Sequence, residues 1–212
     1  MKEDHRKLDL AKLDKTYYTA DSSPQLVQFG ELPYLVIIDK GAPDSSSFTN
    51  ATEALYSVAY GVKNICKTVN KDFTVAKLEG LWWVESDKDA LEVPREEWHW
   101  KLLIRMPDFV TNETVDNARA NARAKKKELE QIERVAYTTI REGTSVQMMH
   151  VGPYSTEPAT VAIIREYMRA HHLIQNGLHH EIYLSDPRKV EPAYMKTILR
   201  FPVDHIQGHD HG

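Results

Sequence analysis

The amino-acid sequence predicts an α+β protein made of two tandem lobes, each with the order strand, strand, helix, strand, strand. Three observations support this fold class. Short runs of β-branched and aromatic residues stand in pairs, and apolar residues at helical spacing lie between the pairs. This order of elements occurs twice along the chain. Both halves carry a glycine-proline turn after their second strand, at Gly41-Ala42-Pro43 and at Gly152-Pro153.

Each half is predicted to place one helix between two pairs of strands. The first half has strands at residues 25–29 and 34–39 with a turn at 30–33, a helix from Thr49 or Asn50 to Asn64, and strands at 73–84 and 98–106. The second half has strands at 135–140 and 145–150 with a turn at 141–144, a helix from Pro158 to about Leu173, and strands at 180–184 and 194–201. Two such lobes are expected to have pseudo-twofold symmetry, with helices on one face and a ligand groove on the other.

The chain is accordingly divided into five segments. These are an N-terminal lead-in at residues 1–23, a first lobe at 24–110, a connecting helix at 111–134, a second lobe at 135–203 and a disordered tail at 204–212. The connecting segment is rich in Ala, Arg, Lys and Glu and has an apolar stripe, which predicts one helix that joins the lobes. Its basic run is followed at once by glutamates, so we interpret it as a solvated face.

The composition is that of an ordinary globular protein. Of the 212 residues, 42% are hydrophobic and 27% are charged, which separates the chain from disordered sequences. The formal net charge of −4 argues against a nucleic-acid partner, since proteins that bind the phosphate backbone are usually basic. The single cysteine, Cys66, excludes an intramolecular disulfide, and the polar N-terminus has no apolar run after it. These features predict a cytoplasmic location and no membrane partner.

Motifs for cofactor or metal chemistry are absent from the sequence. It contains no glycine-rich phosphate loop and no Gly-x-Ser-x-Gly elbow. The adjacent pairs His171-His172 and His179-His180 do not predict a metal site, because neighbouring side chains on a strand or helix point apart. We therefore expect neither a cofactor nor a metal.

Two motifs of the second half resemble one known family. The segment His150-Val151-Gly152-Pro153-Tyr154 is followed, after the predicted helix, by His179-His180-Glu181-Ile182-Tyr183-Leu184-Ser185-Asp186-Pro187. This pair of motifs is similar to the signature of GyrI-like proteins. Residues 53–60 and 78–83 resemble a free-standing branch of that family, so the similarity covers residues 24–203.

The resemblance implies the fold of the effector-binding domains of multidrug-responsive transcription regulators. In those domains a buried glutamate in an aromatic cleft meets cationic or planar apolar ligands, and Glu181 occupies the matching position. Three functions remain open: hydrolysis of cyclopropanoid genotoxins, sequestration or sensing of a ligand without chemistry, and protection of a topoisomerase against toxins. The residues before Pro24 are too few for a helix-turn-helix fold, so we expect no attached DNA-binding domain.

Strand alternation predicts the chemical setting of Glu181. Glu181 and Tyr183 are two residues apart and are expected to share the groove face, while Ile182 and Leu184 point to the core. A carboxylate desolvated among aromatic rings has a raised pKa, so we expect Glu181 to act as a general base or as a counter-charge for a cation. In the enzymatic alternative Glu181 activates a water, and a phenol, either Tyr183 or Tyr137, stabilises the oxygen that gains negative charge.

Further ligand-binding candidates come from both halves. By the same alternation Glu79 and Trp83 share a face, so a second carboxylate is expected to meet the ligand. The full set of ligand-binding candidates is Glu79, Trp82, Trp83, Trp98, Trp100, Tyr56, Tyr60, His150 and Tyr154. The sequence leaves open which of the aromatic residues are core and whether the protein is a monomer or a homodimer. The expected partner is a planar or cationic small molecule.

Overall fold

The computed structural model describes residues 7–206 and shows a mixed α+β fold. The elements in chain order are α1 (Leu10–Leu13), α2 (Lys15–Tyr18), β1 (Gln25–Lys40), α3 (Ser46–Thr68), β2 (Leu78–Trp83), β3 (His99–Arg105), α4 (Asn112–Lys125), β4 (Ala136–Val151), α5 (Glu157–Ala170), β5 (Leu173–Gln175), β6 (His179–Tyr183) and β7 (Lys196–His205). Short 3-10 turns lie at Ala90–Glu92, Arg95–Glu97, Glu130–Arg134, Tyr154–Thr156 and Pro192–Tyr194.

The described chain divides into two compact units. The first unit contains residues 7–14 and 32–140, and the second contains residues 15–31 and 141–206. Each unit therefore includes part of the two long strands β1 and β4. The predicted connecting segment at 111–134 lies within the first unit.

In the first unit an antiparallel arrangement of β1, β3 and β2 packs against α3. Ile37 of β1 lies opposite Leu102 of β3, and Gly80 of β2 lies opposite the same leucine. The N-terminus of α3 is capped by Ser45, whose hydroxyl accepts a 3.2 Å hydrogen bond from the Phe48 amide. The buried residues of α3 recur at helical spacing and form one face of the helix. They are Ala51, Ala54, Leu55, Val58, Ala59, Val62 and Cys66.

Helices α3 and α4 approach each other closely at Gly61. A β-carbon placed on Gly61 would lie 3.1 Å from the β-carbon of Ala118 and 3.4 Å from the Ala118 carbonyl oxygen. Ala118 is fully buried. The contact therefore depends on one residue without a side chain facing one with a methyl group.

In the second unit β7 is the central strand. It pairs antiparallel with β4, β6 and β5, as in the pairs Met148 with Leu199 and Ile182 with Ile198. Helix α5 buries Ile164 and Met168 in the core of this unit. The other buried core residues of the cluster are Val146, Met148, Leu173, Leu199, Phe201 and Val203.

Two predicted turns are wrong, because the chain remains extended through them. β1 runs without interruption through residues 30–33, and the Pro33 carbonyl accepts a 2.9 Å hydrogen bond from the Met106 amide. β4 runs through residues 141–144. There the Glu142 side chain is held by ion pairs with His180 and Arg200, which lie on β6 and β7. Backbone and side-chain partners thus hold both segments as strands.

Helix boundaries also differ from the prediction. α3 begins at Ser46, three or four residues before the predicted cap at Thr49 or Asn50, because Ser45 supplies the capping oxygen. The predicted single helix at 111–134 is an α-helix only over Asn112–Lys125, and a 3-10 turn follows at Glu130–Arg134. The side chain of Arg123 donates hydrogen bonds to the carbonyls of Lys126 and Lys127 where the α-helix ends.

Both ends of the described chain contain ordered structure. In the lead-in, Leu10, Tyr17 and Tyr18 are buried, and the Leu8 amide donates to the Asp72 carbonyl at 3.0 Å. β7 extends to His205, so the predicted disordered tail is wrong for the first two of its residues. The remaining part of that prediction, at 207–212, lies outside the described residues. Within residues 7–206, no helix has both the length and the apolar character needed to cross a bilayer.

Candidate functional site

Strand β6 sets the side chains of the predicted site in alternating directions. Ile182 is fully buried and belongs to the strand's core face. His179, Glu181 and Tyr183 lie on the other face and are partly exposed. The expected alternation of Glu181 and Tyr183 against Ile182 is confirmed.

The Glu181 carboxylate is held by donors from its own strand. His179 Nε2 lies 2.8 Å from Glu181 Oε1, and the Tyr183 hydroxyl donates to Glu181 Oε2 at 2.7 Å. Only 12% of the Glu181 side chain is exposed, against 20% for His179. Both carboxylate oxygens therefore have a fixed partner in a site with little access to bulk water.

Helix α5 brings a second carboxyl group to the same place. Glu157 is the first residue of this helix, follows Thr156, precedes Pro158 and is 8% exposed. Its carboxyl group is near enough to that of Glu181 for each to shift the pKa of the other. The fixed backbone angle of proline suits the first turn of a helix, so the sequence Thr-Glu-Pro places the glutamate at the helix start.

The two carboxyl groups have opposite shifts in pKa. Burial alone would raise the pKa of Glu181, but hydrogen bonds from His179, Tyr183 and Glu157 outweigh burial, so this pKa is lowered. Burial raises the pKa of Glu157 to about 10, and the charge of Glu181 and their hydrogen bond add to this effect. The prediction of a raised pKa for Glu181 is therefore wrong, because the strand supplies donors that alternation alone does not show.

An aromatic side chain of the glycine-proline motif lies beside this cluster. The ring of Tyr154 packs edge-to-face on the ring of Tyr183, with 5.9 Å between centroids. Burial, followed by the nearby carboxyl groups of Glu157, Glu181 and Asp186, raises the pKa of Tyr154 to about 12. Tyr154 remains 43% exposed, so it forms an accessible edge of the cluster.

The other candidate of this motif, His150, joins β4 to the start of α5. Its Nδ1 lies 2.8 Å from the Thr160 hydroxyl, and its Nε2 lies 3.1 Å from the Pro153 carbonyl oxygen. Gly152 has φ of +139°, and a β-carbon there would lie 3.1 Å from the Thr156 hydroxyl oxygen. The structure thus places His150 in the scaffold that positions the helix carrying Glu157.

The neighbouring histidine, His180, belongs to a separate buried network. Its Nδ1 lies 2.6 Å from Glu142 Oε1, and Arg200 Nη1 donates to Glu142 Oε2 at 3.2 Å. Arg200 also donates to the Gln147 side chain at 3.0 Å and to the Tyr17 carbonyl at 2.7 Å. This network ties residues 15–31 to β4, β6 and β7 within the second unit.

Several tryptophan candidates of the first unit pack with one another. Trp100 is fully buried, and its indole N–H donates to the Gly41 carbonyl at 3.2 Å. Trp82 is partly buried and stacks on Phe48, with 5.8 Å between ring centroids. Trp98 packs edge-to-face on Trp82, and its indole N–H donates to the carbonyl oxygens of residues 90 and 93.

The remaining candidates of the first unit differ in burial and in the groups that they contact. Glu79 on β2 is fully buried, while Trp83 on the same strand stacks on His99. Tyr56 stacks on Tyr60, of which 52% is exposed. The Tyr137 hydroxyl donates to the carbonyl oxygen of residue 110 at 2.9 Å, and burial raises the pKa of Tyr137.

Sequence reasoning missed Glu157 and His179 as members of the cluster. Alternation over residues 179, 181 and 183 was sufficient to find His179. Glu157 required knowledge of how α5 is placed on β6, which a single sequence does not give. The resulting cluster, composed of Tyr154, Glu157, His179, Glu181 and Tyr183, is named the carboxylate cluster below.

The carboxylate cluster combines one ionised group with a neutral acid and two phenols. The ionised Glu181 attracts cations, and the tyrosine rings offer apolar contact area. Among the described residues, Glu157 Oε1 and His179 Nδ1 are buried polar atoms without a hydrogen-bond partner. Both atoms are closed off from bulk solvent, so neither has a protein or a bulk-water partner.

Comparison with known proteins identifies one matching family and similar solved structures. The model of the GyrI-like small molecule binding domain matches residues 70–204. No curated protein matches the chain. An uncharacterized conserved protein from Listeria innocua is 40% identical, with a TM-score of 0.88 over 93% of this chain and 100% of that one. A hydrolase from Listeria innocua is 38% identical, with a TM-score of 0.83 over 93% and 100% of the two chains.

A more distant solved structure shares the fold. The EcmrR C-terminal domain is 13% identical and has a TM-score of 0.59, over 87% of this chain and 98% of that domain. At this identity the likeness concerns the fold alone. The family match covers more than half of the chain and agrees with the two Listeria structures, so the protein belongs to the GyrI-like family of small-molecule-binding domains.

Proposed function

We propose that this protein binds planar apolar or cationic small molecules at the carboxylate cluster and hydrolyses strained electrophilic ones among them. The observation that carries the proposal is the Glu181 carboxylate, which is ionised, 12% exposed and fixed by His179 and Tyr183. A fixed charge in a desolvated site needs no reorganisation when a ligand arrives, which increases its effect on a cation or a developing positive centre.

Binding of a planar or cationic ligand follows from the groups around this charge. Tyr154 and Tyr183 meet edge-to-face, and Tyr154 is exposed enough for its ring to contact a ligand. Aromatic rings bind both flat apolar groups and cations. A cationic ligand should therefore gain more from Glu181 than a neutral ligand of the same shape.

Hydrolysis of a cyclopropanoid ligand requires Glu181 to accept a proton from water. The water oxygen forms a bond to the strained ring carbon while a ring carbon–carbon bond breaks. The electron pair of that bond moves to the conjugated carbonyl oxygen, which takes up a proton. To donate a hydrogen bond to this oxygen, the Tyr183 hydroxyl has to turn away from Glu181 Oε2. The similarity to a Listeria innocua hydrolase at 38% identity supports this chemistry.

The lowered pKa of Glu181 restricts the kind of ligand that can react. A carboxylate with a lowered pKa is a weak general base. It can assist attack on a carbon that is already activated by ring strain, but it gives little help with a stable ester or amide. The same property favours the second candidate function, in which the protein sequesters or senses a ligand without changing it.

Mass spectrometry after incubation separates the two functions. Cyclopropane-bearing alkylators and planar cationic dyes are incubated with wild-type protein and with Glu181→Gln, and both ligand and protein are recovered. Hydrolysis is supported if the ligand gains the mass of one water with wild type but not with Glu181→Gln, because a general base typically contributes roughly 10²–10⁴-fold in rate. Retained but unchanged ligand supports sequestration.

Two outcomes would contradict the proposal. Equal hydrolysis by wild type and Glu181→Gln would exclude Glu181 as the base. Equal retention of cationic and neutral ligands by both proteins would exclude Glu181 as the counter-charge. Glu166→Gln is the matched control, since Glu166 lies on α5 with 63% of its side chain exposed and pairs with Arg169.

A further inference from the structure

The two ring nitrogens of His179 have different surroundings. Its Nε2 lies 2.8 Å from Glu181 Oε1, while its Nδ1 is a buried atom without a hydrogen-bond partner among the described residues. The ring packs on that of Phe201 on β7, with 4.6 Å between the centroids, and Phe201 is itself buried. The imidazole therefore lies between a carboxylate at one nitrogen and apolar surroundings that offer the other nitrogen no acceptor.

This asymmetry decides which nitrogen carries the proton. A proton on Nδ1 would bury a donor without an acceptor and would set the lone pair of Nε2 against a carboxylate oxygen. A protonated Glu181 that donated to Nε2 would require the same proton on Nδ1. An imidazolium would donate to Glu181 from Nε2, but it would also bury an unpartnered, charged N–H at Nδ1. Only the neutral form with its proton on Nε2 makes the 2.8 Å contact a hydrogen bond and buries no unpartnered N–H.

We propose that His179 is a positioning residue that acts as a neutral imidazole, with its proton on Nε2, and holds the Glu181 carboxylate in place without cancelling its charge. This inference rests on the role of Glu181 in the proposed function and adds a second residue to it. A neutral donor fixes the orientation of Oε1, and the pair of side chains keeps a full negative charge. An imidazolium would make the pair neutral and would weaken Glu181 as a base, because an opposite charge stabilises the carboxylate.

The other groups that act on Glu181 come from three elements. Tyr183 on β6 donates to its second oxygen, Oε2. Glu157 on α5 and Tyr154 on the 3-10 turn interact with it electrostatically. A substitution confined to His179 leaves these three groups in place, so the effect of the donor to Oε1 can be measured by itself.

Two substitutions separate the donor of His179 from its ring. His179→Gln keeps a neutral N–H donor at about the reach of Nε2, while His179→Phe keeps a planar ring against Phe201 and removes the donor. His171→Gln is the matched control, because His171 is an exposed histidine at the C-terminal end of α5. Thermal unfolding of each variant checks that it is folded.

The tautomer is determined first, without any ligand. Wild type labelled with ¹⁵N in its histidines is studied by long-range proton–nitrogen correlation at neutral pH, and the signals of His179 are those missing from His179→Gln. We expect one protonated and one bare nitrogen, with the proton on Nε2. Protons on both nitrogens, or a proton on Nδ1, would overturn the inference. This result decides the protonation state even if His179→Phe does not fold.

The effect on Glu181 is measured by NMR titration of ¹³C-labelled glutamate carboxyl groups, with Glu181→Gln identifying the resonance. The hydrogen bond from His179 helps to hold the pKa of Glu181 below its ordinary value. Its loss in His179→Phe should raise this pKa, so that Glu181 takes up its proton at a higher pH than in wild type. His179→Gln and His171→Gln should titrate as wild type does. Equal behaviour of His179→Gln and His179→Phe would show that a charge, and not a neutral donor, acts on Glu181.

Hydrolysis of a cyclopropane-bearing alkylator tests the positioning role. His179→Phe should lose roughly tenfold in kcat with little change in KM, and His179→Gln should restore most of this loss. An unchanged kcat in folded His179→Phe would overturn the role of His179 in the reaction.

Failure of the proposed function gives a different pattern. If wild type neither hydrolyses the alkylator nor binds ethidium, a planar cationic dye, the proposed function is contradicted. The tautomer and the titration of Glu181 then still decide whether His179 holds the carboxylate as a neutral donor.

Discussion

The Tyr183 hydroxyl donates a 2.7 Å hydrogen bond to Oε2 of Glu181, two positions earlier on the same strand. A phenol on the same face of a strand is in reach of the carboxylate because residues i and i+2 point in one direction. This contact, with the one from His179, gives Glu181 a lowered pKa despite its burial. The ionised state of Glu181 therefore depends on His179 and Tyr183, its neighbours on the same five-residue strand.

Replacing Tyr183 by phenylalanine should raise the pKa of Glu181, because a donor to the charged form is lost while burial remains. Glu181 in wild type is ionised above its lowered pKa, and cation binding is lost as the pH falls through that value. In Tyr183→Phe this loss should occur at a higher pH, and affinity at neutral pH should fall about tenfold. The measurement is ethidium affinity as a function of pH.

Tyr194→Phe is the control for this variant, since 69% of Tyr194 is exposed. Identical pH profiles for Tyr183→Phe and Tyr194→Phe would show that the phenol does not stabilise the charge of Glu181.

The buried Glu142 network predicts a dependence of stability on pH. Burial alone would raise the pKa of Glu142, but the charges and hydrogen bonds of His180 and Arg200 lower it to about 2. A lowered folded-state pKa stabilises the fold above the ordinary value of 4.5 and loses this effect as the pH falls towards 2. Glu142→Gln should therefore lower the free energy of unfolding at neutral pH by about 3 kcal/mol.

Urea unfolding at neutral and acidic pH measures this effect. The stability difference between wild type and Glu142→Gln should shrink as the pH approaches 2, because the wild-type carboxyl then becomes protonated. Glu128→Gln, at an exposed position, should follow the wild-type profile. A difference between wild type and Glu142→Gln that stays constant with pH would exclude the ionised network as its source.

The close approach of α3 and α4 predicts an effect of volume at Gly61. Since a β-carbon at this position would lie 3.1 Å from that of Ala118, the larger side chain of Gly61→Val has no space. Thermal and urea unfolding should show a loss of about 1–3 kcal/mol.

Gly30 provides the control, because a β-carbon there would have no heavy atom within 4 Å. Gly30→Val on β1 should be close to wild type in stability. Equal stability of both valine variants would contradict the close helix contact.

Sequence reasoning found the residues whose position depends on local periodicity. The directions of Glu181, Ile182 and Tyr183 follow from strand alternation, and the buried face of α3 follows from helical spacing. It did not find contacts that depend on how distant segments pack. The electrostatic interaction of Glu157 with Glu181 links the start of a helix to a strand that begins 22 residues later, and no local pattern encodes it.

The two long strands show a second limitation, because turns were predicted at places where the chain stays extended. Gly30 and Pro33 are turn-forming residues, yet β1 remains extended through both, and the Pro33 carbonyl accepts a hydrogen bond from the Met106 amide directly after β3. Likewise, residues 141–144 stay extended where Glu142 meets His180 and Arg200. Tertiary hydrogen bonds and ion pairs thus override local turn preference at both places.

The two glutamates predicted to serve the ligand differ in their exposure. Glu181 retains some exposure and accepts hydrogen bonds on both oxygens, whereas Glu79 is fully buried. A carboxylate that is ionised and rigidly held is the better partner for a cation or a reacting water. We therefore expect Glu181→Gln to damage function more than Glu79→Gln.

The most direct test of Glu181 as the functional charge is a parallel titration of ethidium into wild type, Glu181→Gln and Glu79→Gln. A thermal unfolding curve of each protein confirms that the variants are folded. Glu181→Gln should weaken binding tenfold or more, as expected roughly for loss of a desolvated ion pair, and Glu79→Gln should weaken it less. Unchanged affinity in folded Glu181→Gln, or a greater loss in folded Glu79→Gln, would contradict the central role of Glu181.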